Sequence, residues 1–431
     1  MTGRGTLARL ARTRSAPDDL ALLRRGLHSR RLVLLKSLLT RLEQHPAAVP
    51  ETARERFEEH WRLLERAESL DGGAARRTLD YPAVGIWLAD ALAAPDGEAL
   101  ARRLDRFGAV AATAAVRCGL DFTLDLPAPG GSLALPGTGR LRHAGASVRL
   151  TARARTVRLT AEDGHPGAVL LRAAGQVSGS GPGWQGLATL PGSDARLDDL
   201  DPHRAPPGGV GHTALPPAPP DDHEAWSGLW RAALSLLHAT DPARAAETTA
   251  LLRCVVPLAR TGRHGARSGP VSATLRAAPG AVLTTWPETA AGLAEVLVHE
   301  TQHGKLAVLH DLVPLHRGGP AARHRVAWRA DPRPFAAVLQ GTYAHLALAD
   351  FWARAAGRRT RPPGARRAAA ARRDDYREQV AAALPILLES GELTAAGRQF
   401  AIGMERHLAG LGREGDQSAG SGGASPLCHV Q

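Results

Sequence analysis

The hydrophobic period of this chain changes twice along its 431 residues, and that constrains its fold more than any motif. Leu and Val recur at three- and four-residue spacing through Leu20–Leu42, Glu51–Leu70, Gly85–Leu92 and Asp96–Arg117, the pattern of amphipathic helices. Near Cys118 the period becomes two. Asp121-Phe122-Thr123-Leu124-Asp125-Leu126 alternates, and so do Val148–Ala152 and Val157–Thr160. These runs predict antiparallel strands with one wet face. After a Pro/Gly cluster the helical period returns, with Trp226, Trp230, Leu234 and Leu237 on one stripe. The expected class is α+β, mainly helical. The expected organisation is a helical N-terminal domain (1–118), a β-rich region (119–200), a linker (201–220), a domain over 221–412 and a Gly/Ser-rich disordered tail (413–431). Residues up to about Arg14 read as a frayed basic lead-in.

Two short strands, Val271–Leu275 and Ala281–Trp286, are expected to form a hairpin just before a long helix, Ala290–Leu312. A second long helix is expected over Phe335–Ala355. Beyond it come a basic loop at Arg358–Arg367 and two closing helices, Asp374–Glu389, kinked at Pro385, and Thr394–Leu408.

Composition excludes some classes of function. The net charge of +12 comes almost wholly from arginine, since Lys36 and Lys305 are the lysines in the chain. That charge is scattered, and aromatic residues make up only 4%, too few for base-stacking platforms, so nucleic acid is not the expected partner. No apolar run of 18 residues is present, so no membrane span is expected. Cys118, Cys254 and Cys428 are sparse and odd in number, which points to a reducing, cytoplasmic setting.

The Ala290–Leu312 helix carries His299-Glu300-Thr301-Gln302-His303, an H-E-x-x-H motif. Residues four apart share a helix face, so His299 and His303 can bind one metal ion through neutral imidazole nitrogens. Glu300 points about 100° away, near the ion. Two histidines rarely hold a catalytic metal alone. His310 lies about 10 Å along the helix from His303, too far to share an ion. The metzincin continuation is absent, because Leu306 and Leu309 stand where its Gly and third His would be. A gluzincin-type Glu is absent from Phe335–Ala355, whose one acid is Asp350. His345 on that helix, on a stripe with Val338, Thr342, Ala349 and Trp352, is the preferred third ligand. His316, His324 and Asp350 are the alternatives. Such a set suits zinc, and equally a non-haem iron site with open positions.

From Thr285 to Trp352 the chain resembles a family of bacterial H-E-x-x-H proteins. The resemblance lies in Leu297–Leu306, Asp311–Leu315, Trp328-Arg329-Ala330-Asp331-Pro332-Arg333-Pro334, Gly341-Thr342-Tyr343-Ala344-His345 and Phe351-Trp352. The rest of the chain is similar in layout rather than motif. The family is that of the 2-oxoglutarate-dependent peptide β-hydroxylases of ribosomal-peptide (RiPP) biosynthesis. The resemblance implies a zincin-like helical catalytic part with a short edge sheet. It also implies Fe(II), 2-oxoglutarate and O₂, and hydroxylation of a side chain in a precursor peptide, often encoded with a radical SAM maturase of the same pathway. His299, His303 and His345 carry over as metal ligands. A planar cation best holds the far carboxylate of the keto acid, and Arg329 and Arg333 are the candidates in the loop before the His345 helix. The competing expectation is a zinc peptidase, with Glu300 as its general base.

Overall fold

The computed structural model describes residues 4–142, 145–162, 166–173, 176–206, 208–209, 222–259, 271–319, 321 and 323–420. Among them, twelve α-helices and several small sheets form a mainly helical α+β protein that is 59% helical. Six helices lead: α1 (Arg4–Ala11), α2 (Pro17–Gln44), α3 (Glu51–Leu70), α4 (Gly72–Leu79), α5 (Pro82–Ala93) and α6 (Glu98–Cys118). Ten strands follow: β1 (Phe122–Pro127), β2 (Ser132–Leu135), β3 (Gly139–Arg142), β4 (Ser147–Arg153), β5 (Thr156–Ala161), β6 (Pro166–Ala173), β7 (Gln176–Ser180), β8 (Trp184–Gly186), β9 (Ala188–Thr189) and β10 (Arg196–Leu197). Next come α7 (His223–Thr240), α8 (Pro242–Leu251), β11 (Cys254–Pro257), β12 (Ser272–Ala273), β13 (Ala281–Thr284) and α9 (Ala290–Leu312). The last part holds β14 (His324–Val326), β15 (Arg329–Arg333), α10 (Phe335–Gly357), α11 (Pro363–Glu389) and α12 (Ala395–Gly420).

The chain divides into two compact units that do not follow its linear order. One comprises Arg24–Ala232 and Leu251–Leu293; the other comprises Met1–Leu23, Ala233–Ala250 and Ala294–Gln431.

In the first unit, α6 packs on α3 through stacked Phe57 and Phe107, with Trp87 of α5 stacked on Phe107 in turn. Gly108 permits this close approach: a Cβ there would stand 2.5 Å from Leu126 Cδ2 and 2.6 Å from His60 Cε1. The helix ends where Gly119 turns to φ 88°, a conformation glycine adopts without strain, and its N–H closes the last turn on Ala115 and Val116. A five-stranded antiparallel sheet, ordered β1-β4-β5-β6-β7, then buries alternate side chains: Val148, Leu150 and Ala152 face the core while Arg149 faces out. A small mixed sheet has the order β12-β13-β11-β10-β9, in which β11 is parallel to both its neighbours. Two of its three inner strands, β11 and β13, are buried along their whole length, as strands covered on both faces must be. The expected hairpin is there, with β12 paired antiparallel to β13.

In the second unit the long helices α10 and α11 pack against each other, and α10 is buried on most sides, from Phe335 through Ala355. A helix with an apolar circumference belongs at the centre of a helical layer. Two expectations fail at the ends of this unit. The N-terminal lead-in is not frayed. It forms α1, with Leu10 and Ala11 at 1% and 0% exposure, and the Leu10 carbonyl accepts a 2.7 Å bond from the Tyr343 hydroxyl. Its apolar residues were too few to show a period, but they are buried by partners more than 300 residues away. At the other end, α12 continues through Gly420, so the start of the expected tail is helical, propagated from a packed first turn. Residues 421–431 lie outside the described residues, as do 207 and 210–220 of the expected linker. The basic loop is shorter than expected, because α11 already begins at Pro363, a residue suited to a first helical position. Among the described residues no helix is long and apolar enough to cross a membrane.

Candidate metal centre

Thr289 starts the motif helix by accepting the Gly292 N–H on its hydroxyl, a 3.0 Å N-cap. The helical spacing then does what the sequence requires of it. His299 and His303 come together with their Nε2 atoms 2.8 Å apart and ring centroids 4.4 Å apart. The second nitrogen of His303, Nδ1, donates to Gln340 Oε1 at 2.9 Å. That bond sets the tautomer: with the proton on Nδ1, the Nε2 lone pair of His303 faces His299.

The adjoining helix brings His345 of α10 to the same place, its ring 5.4 Å from that of His299. His345 is 7% exposed, and its Nδ1 is a buried nitrogen with no hydrogen-bond partner of good geometry. Trp328, in the turn between β14 and β15, sets its ring edgewise against His345 at 4.6 Å. The same indole fills the space over Gly341, where a Cβ would stand 2.7 Å from it. Tyr376 of α11 covers His345 at 5.3 Å. Burial holds the His299 imidazolium well below its ordinary range, and the neighbouring His303 and His345 add to this. Burial also takes His345 down to about 3. Both rings are therefore neutral at pH 7, the form that binds metals.

Among the described residues, no group of three or more His, Cys, Asp or Glu side chains stands in metal-holding geometry with these side-chain positions. The departure of the helix pair is small. Two nitrogens about 2.1 Å from one ion stand about 3.0 Å apart at a right angle and about 3.4 Å apart at a tetrahedral one. The observed 2.8 Å is a few tenths of an ångström short. The neutral His299 and His345 imidazoles stand beside His303, which a carboxamide fixes, and ring nitrogens of this kind are donors suited to a divalent transition metal.

The other candidates stand elsewhere. Asp350 is bound by Arg244 at 2.8 Å and by Arg14, so its charge is committed within an ion network. His310 accepts the Leu315 N–H, and its ring lies tilted against that of His316 at 4.4 Å. His324 lies 3.8 Å from Glu392. Glu300 is buried, at 2% exposure. Arg329 is exposed on the β14–β15 hairpin, and Arg333 directs Nη1 at Asp331 at 3.0 Å.

Sequence reasoning missed several members of this site. Glu295, one turn before His299, accepts from Trp352 Nε1–H at 2.9 Å, from the Tyr376 hydroxyl at 3.2 Å and from Arg372 at 3.0 Å. Gln340 and Tyr376 also escaped notice. The signal was present in part, since Glu295 stands four residues before His299 and Gln340 five before His345, but their partners come from other helices. No protein-family model matches the chain, and no curated protein matches it either.

Proposed function

We propose that the chain is an Fe(II)- and 2-oxoglutarate-dependent hydroxylase of a ribosomally made peptide, acting at a side-chain β-carbon. One observation carries the reading. Four of the five segments in which the sequence resembles that family have residues in one neighbourhood. His299 and His303 come from the first, Trp328 from the hairpin, Gly341 and His345 from the start of α10, and Trp352 from its end.

In this reading His299, His303 and His345 hold the iron. When bound, the metal supplies the oxidising chemistry: O₂ and 2-oxoglutarate are consumed, succinate and CO₂ leave, and one oxygen atom enters a C–H bond of the peptide. The chain's residues prepare for this. Gln340 keeps the Nε2 lone pair of His303 free by taking the Nδ1 proton. Trp328 and Tyr376 cover His345 and keep water from its ring. His299 and His303 are only partly buried, which leaves a path for small ligands. Three protein ligands would leave room at a bound ion for small co-substrates.

The test is turnover with and without the keto acid. Protein reconstituted anaerobically with Fe(II), then given 2-oxoglutarate, ascorbate, air and a short precursor peptide, is expected to form succinate. It should leave the peptide intact and heavier by one oxygen atom. Peptide fragments formed by zinc-loaded protein without 2-oxoglutarate, and lost in Glu300→Gln, would establish the zinc peptidase instead.

A further inference from the structure

His303 and His345 differ in how their second ring nitrogen is held. Gln340 takes the Nδ1 proton of His303 at 2.9 Å. His345 Nδ1 is buried and makes no hydrogen bond of good geometry. A second buried atom in the same condition is the side-chain oxygen of Gln379, Oε1. Gln379 follows Tyr376 by three residues on α11, on the helix face that covers the His345 ring. Burial lowers the His345 imidazolium and His303 adds to this, while Gln379 acts in the opposite direction, as an acceptor within hydrogen-bonding reach of the ring does. The other end of the same carboxamide is committed: its Nε2 donates to Asp375 Oδ2 at 3.3 Å. A carboxylate takes only the N–H end of an amide, so Asp375 leaves the oxygen as the end for the imidazole.

We infer that Gln379 is a positioning residue for the third histidine: its Oε1 accepts the Nδ1 proton of His345 and leaves the Nε2 lone pair for a divalent metal ion. This rests on the metal centre of the function proposed above and names the group that sets the tautomer of its third ligand. A buried donor and a buried acceptor left unpaired are both costly, and one bond satisfies the two together. An ion on Nε2 in turn keeps the proton on Nδ1, so metal binding and this bond support each other. Asp375, Gln379 and His345 then form a chain in which each group fixes the orientation of the next. With Gln340 on His303, two of the three ligands are oriented by neutral carboxamides carried on different helices, α10 and α11. A carboxamide orients an imidazole without adding charge, whereas a carboxylate in its place makes the ring a more basic ligand.

The test reads metal affinity and tautomer rather than turnover. Zn(II) serves as the probe, its affinity measured by competition with a chromophoric chelator and the fold checked by circular dichroism. Gln379→Leu should weaken Zn(II) by about 10–100-fold. Gln379→Glu, which keeps the acceptor and adds charge, should bind Zn(II) at least as tightly as wild type. In Zn(II)-loaded wild type with isotope-labelled histidine, nuclear magnetic resonance should show His345 protonated at Nδ1 and coordinated through Nε2, with that proton exchanging faster with water in Gln379→Leu. Unchanged affinity in Gln379→Leu, an equal loss in Gln379→Leu and Gln379→Glu, or coordination of His345 through Nδ1 overturns the assignment and leaves the metal centre standing. A wild-type protein that binds no Zn(II), Co(II) or Fe(II) removes the assignment together with the metal centre. Metal-loaded protein that shows the expected tautomer and forms no succinate counts against the hydroxylase reading alone.

Discussion

Lys305→Met tests whether the motif helix is held from behind by buried charge. Lys305 is 1% exposed, with Nζ 2.6 Å from Glu247 Oε1 and 3.3 Å from the Thr13 carbonyl. Methionine replaces the stem at similar volume and removes the ammonium. Glu247 is then left with Gln302 Nε2 at 3.1 Å and Arg244 Nη1 at 3.6 Å. Breaking a buried pair by removing one partner costs about 3–5 kcal/mol, and these remaining donors place the loss near the lower end, at about 3 kcal/mol. A unit of this size shifts by about 2–4 °C per kcal/mol, so the melting point should fall by about 6–12 °C. The double variant Lys305→Met/Glu247→Gln removes both charges and keeps an acceptor for Gln302. Arg14 and Arg244 then still balance Asp241 and Asp350. It should return to within about 1 kcal/mol of wild type, because a neutral pair of similar shape is close to energetically even. Urea and thermal unfolding followed by circular dichroism give both numbers. A double variant as unstable as the single, or a single variant that loses under about 1 kcal/mol, would show that the network is not what holds this part of α9.

Two further outcomes follow from the same distances. Metal affinity, read by competition with a chromophoric chelator, should fall about 10–100-fold in Gln340→Leu, which frees the His303 tautomer; His303→Ala and His345→Ala should fall further, with their circular dichroism retained. In the other unit, Asp198 is buried and accepts from Tyr81 at 2.7 Å, and burial, with Asp201 nearby, raises it from 3.8 to about 6. Folding thus favours its protonated form, so its contribution to stability falls as pH rises from about 4 to about 6; Asp198→Asn should stabilise the protein at pH 8 by at most about 3 kcal/mol and lose that advantage by pH 4.

The sequence was most legible where one local rule decided the outcome. Glu51–Leu70 has the same bounds as α3, because an apolar stripe and Pro50 at its entry both act locally. The alternation in Val148–Ala152 matches β4 for the same reason. Spacing of four put His299 and His303 together. What stayed hidden depended on distant partners. Helix α4 begins one residue after α3 ends, with Asp71 closing one helix and capping the next through its side chain on Ala74 N–H; a break of one residue leaves almost no trace in a hydrophobic period. Asp350 was weighed as a ligand, and only Arg14 and Arg244, far away in sequence, show that its charge is already met. Arginine-rich loops suggest anion sites by chemistry alone. Which partner each of many arginines finds is set by packing: Arg372 carries no mark in the sequence, because Trp352 and Glu295 fall beside it only in three dimensions.

The two sides of α9 also give a physical reason for a lysine in a chain that otherwise uses arginine. Glu295, His299 and His303 stand at intervals of four on one side, while Lys305, two residues past His303, points about 160° from it. A metal pair must be held to within about 0.5 Å, and a helix held on one side only can slide or roll. Lys305 and Gln302 share the Glu247 carboxylate, one on each oxygen, so together they fix both the rotation and the height of the motif helix. The Thr13 carbonyl, on a residue with φ 58°, meets the same ammonium, and Arg244 holds that residue from its other side through hydroxyl and carbonyl. A compact ammonium can point separate donors at a carboxylate and a carbonyl inside a closed space, whereas a guanidinium would present a flat fork too wide for both. The buried place where one cation meets both a carboxylate and a carbonyl is therefore occupied by one of the chain's two lysines, on the side of the helix facing away from the histidine pair.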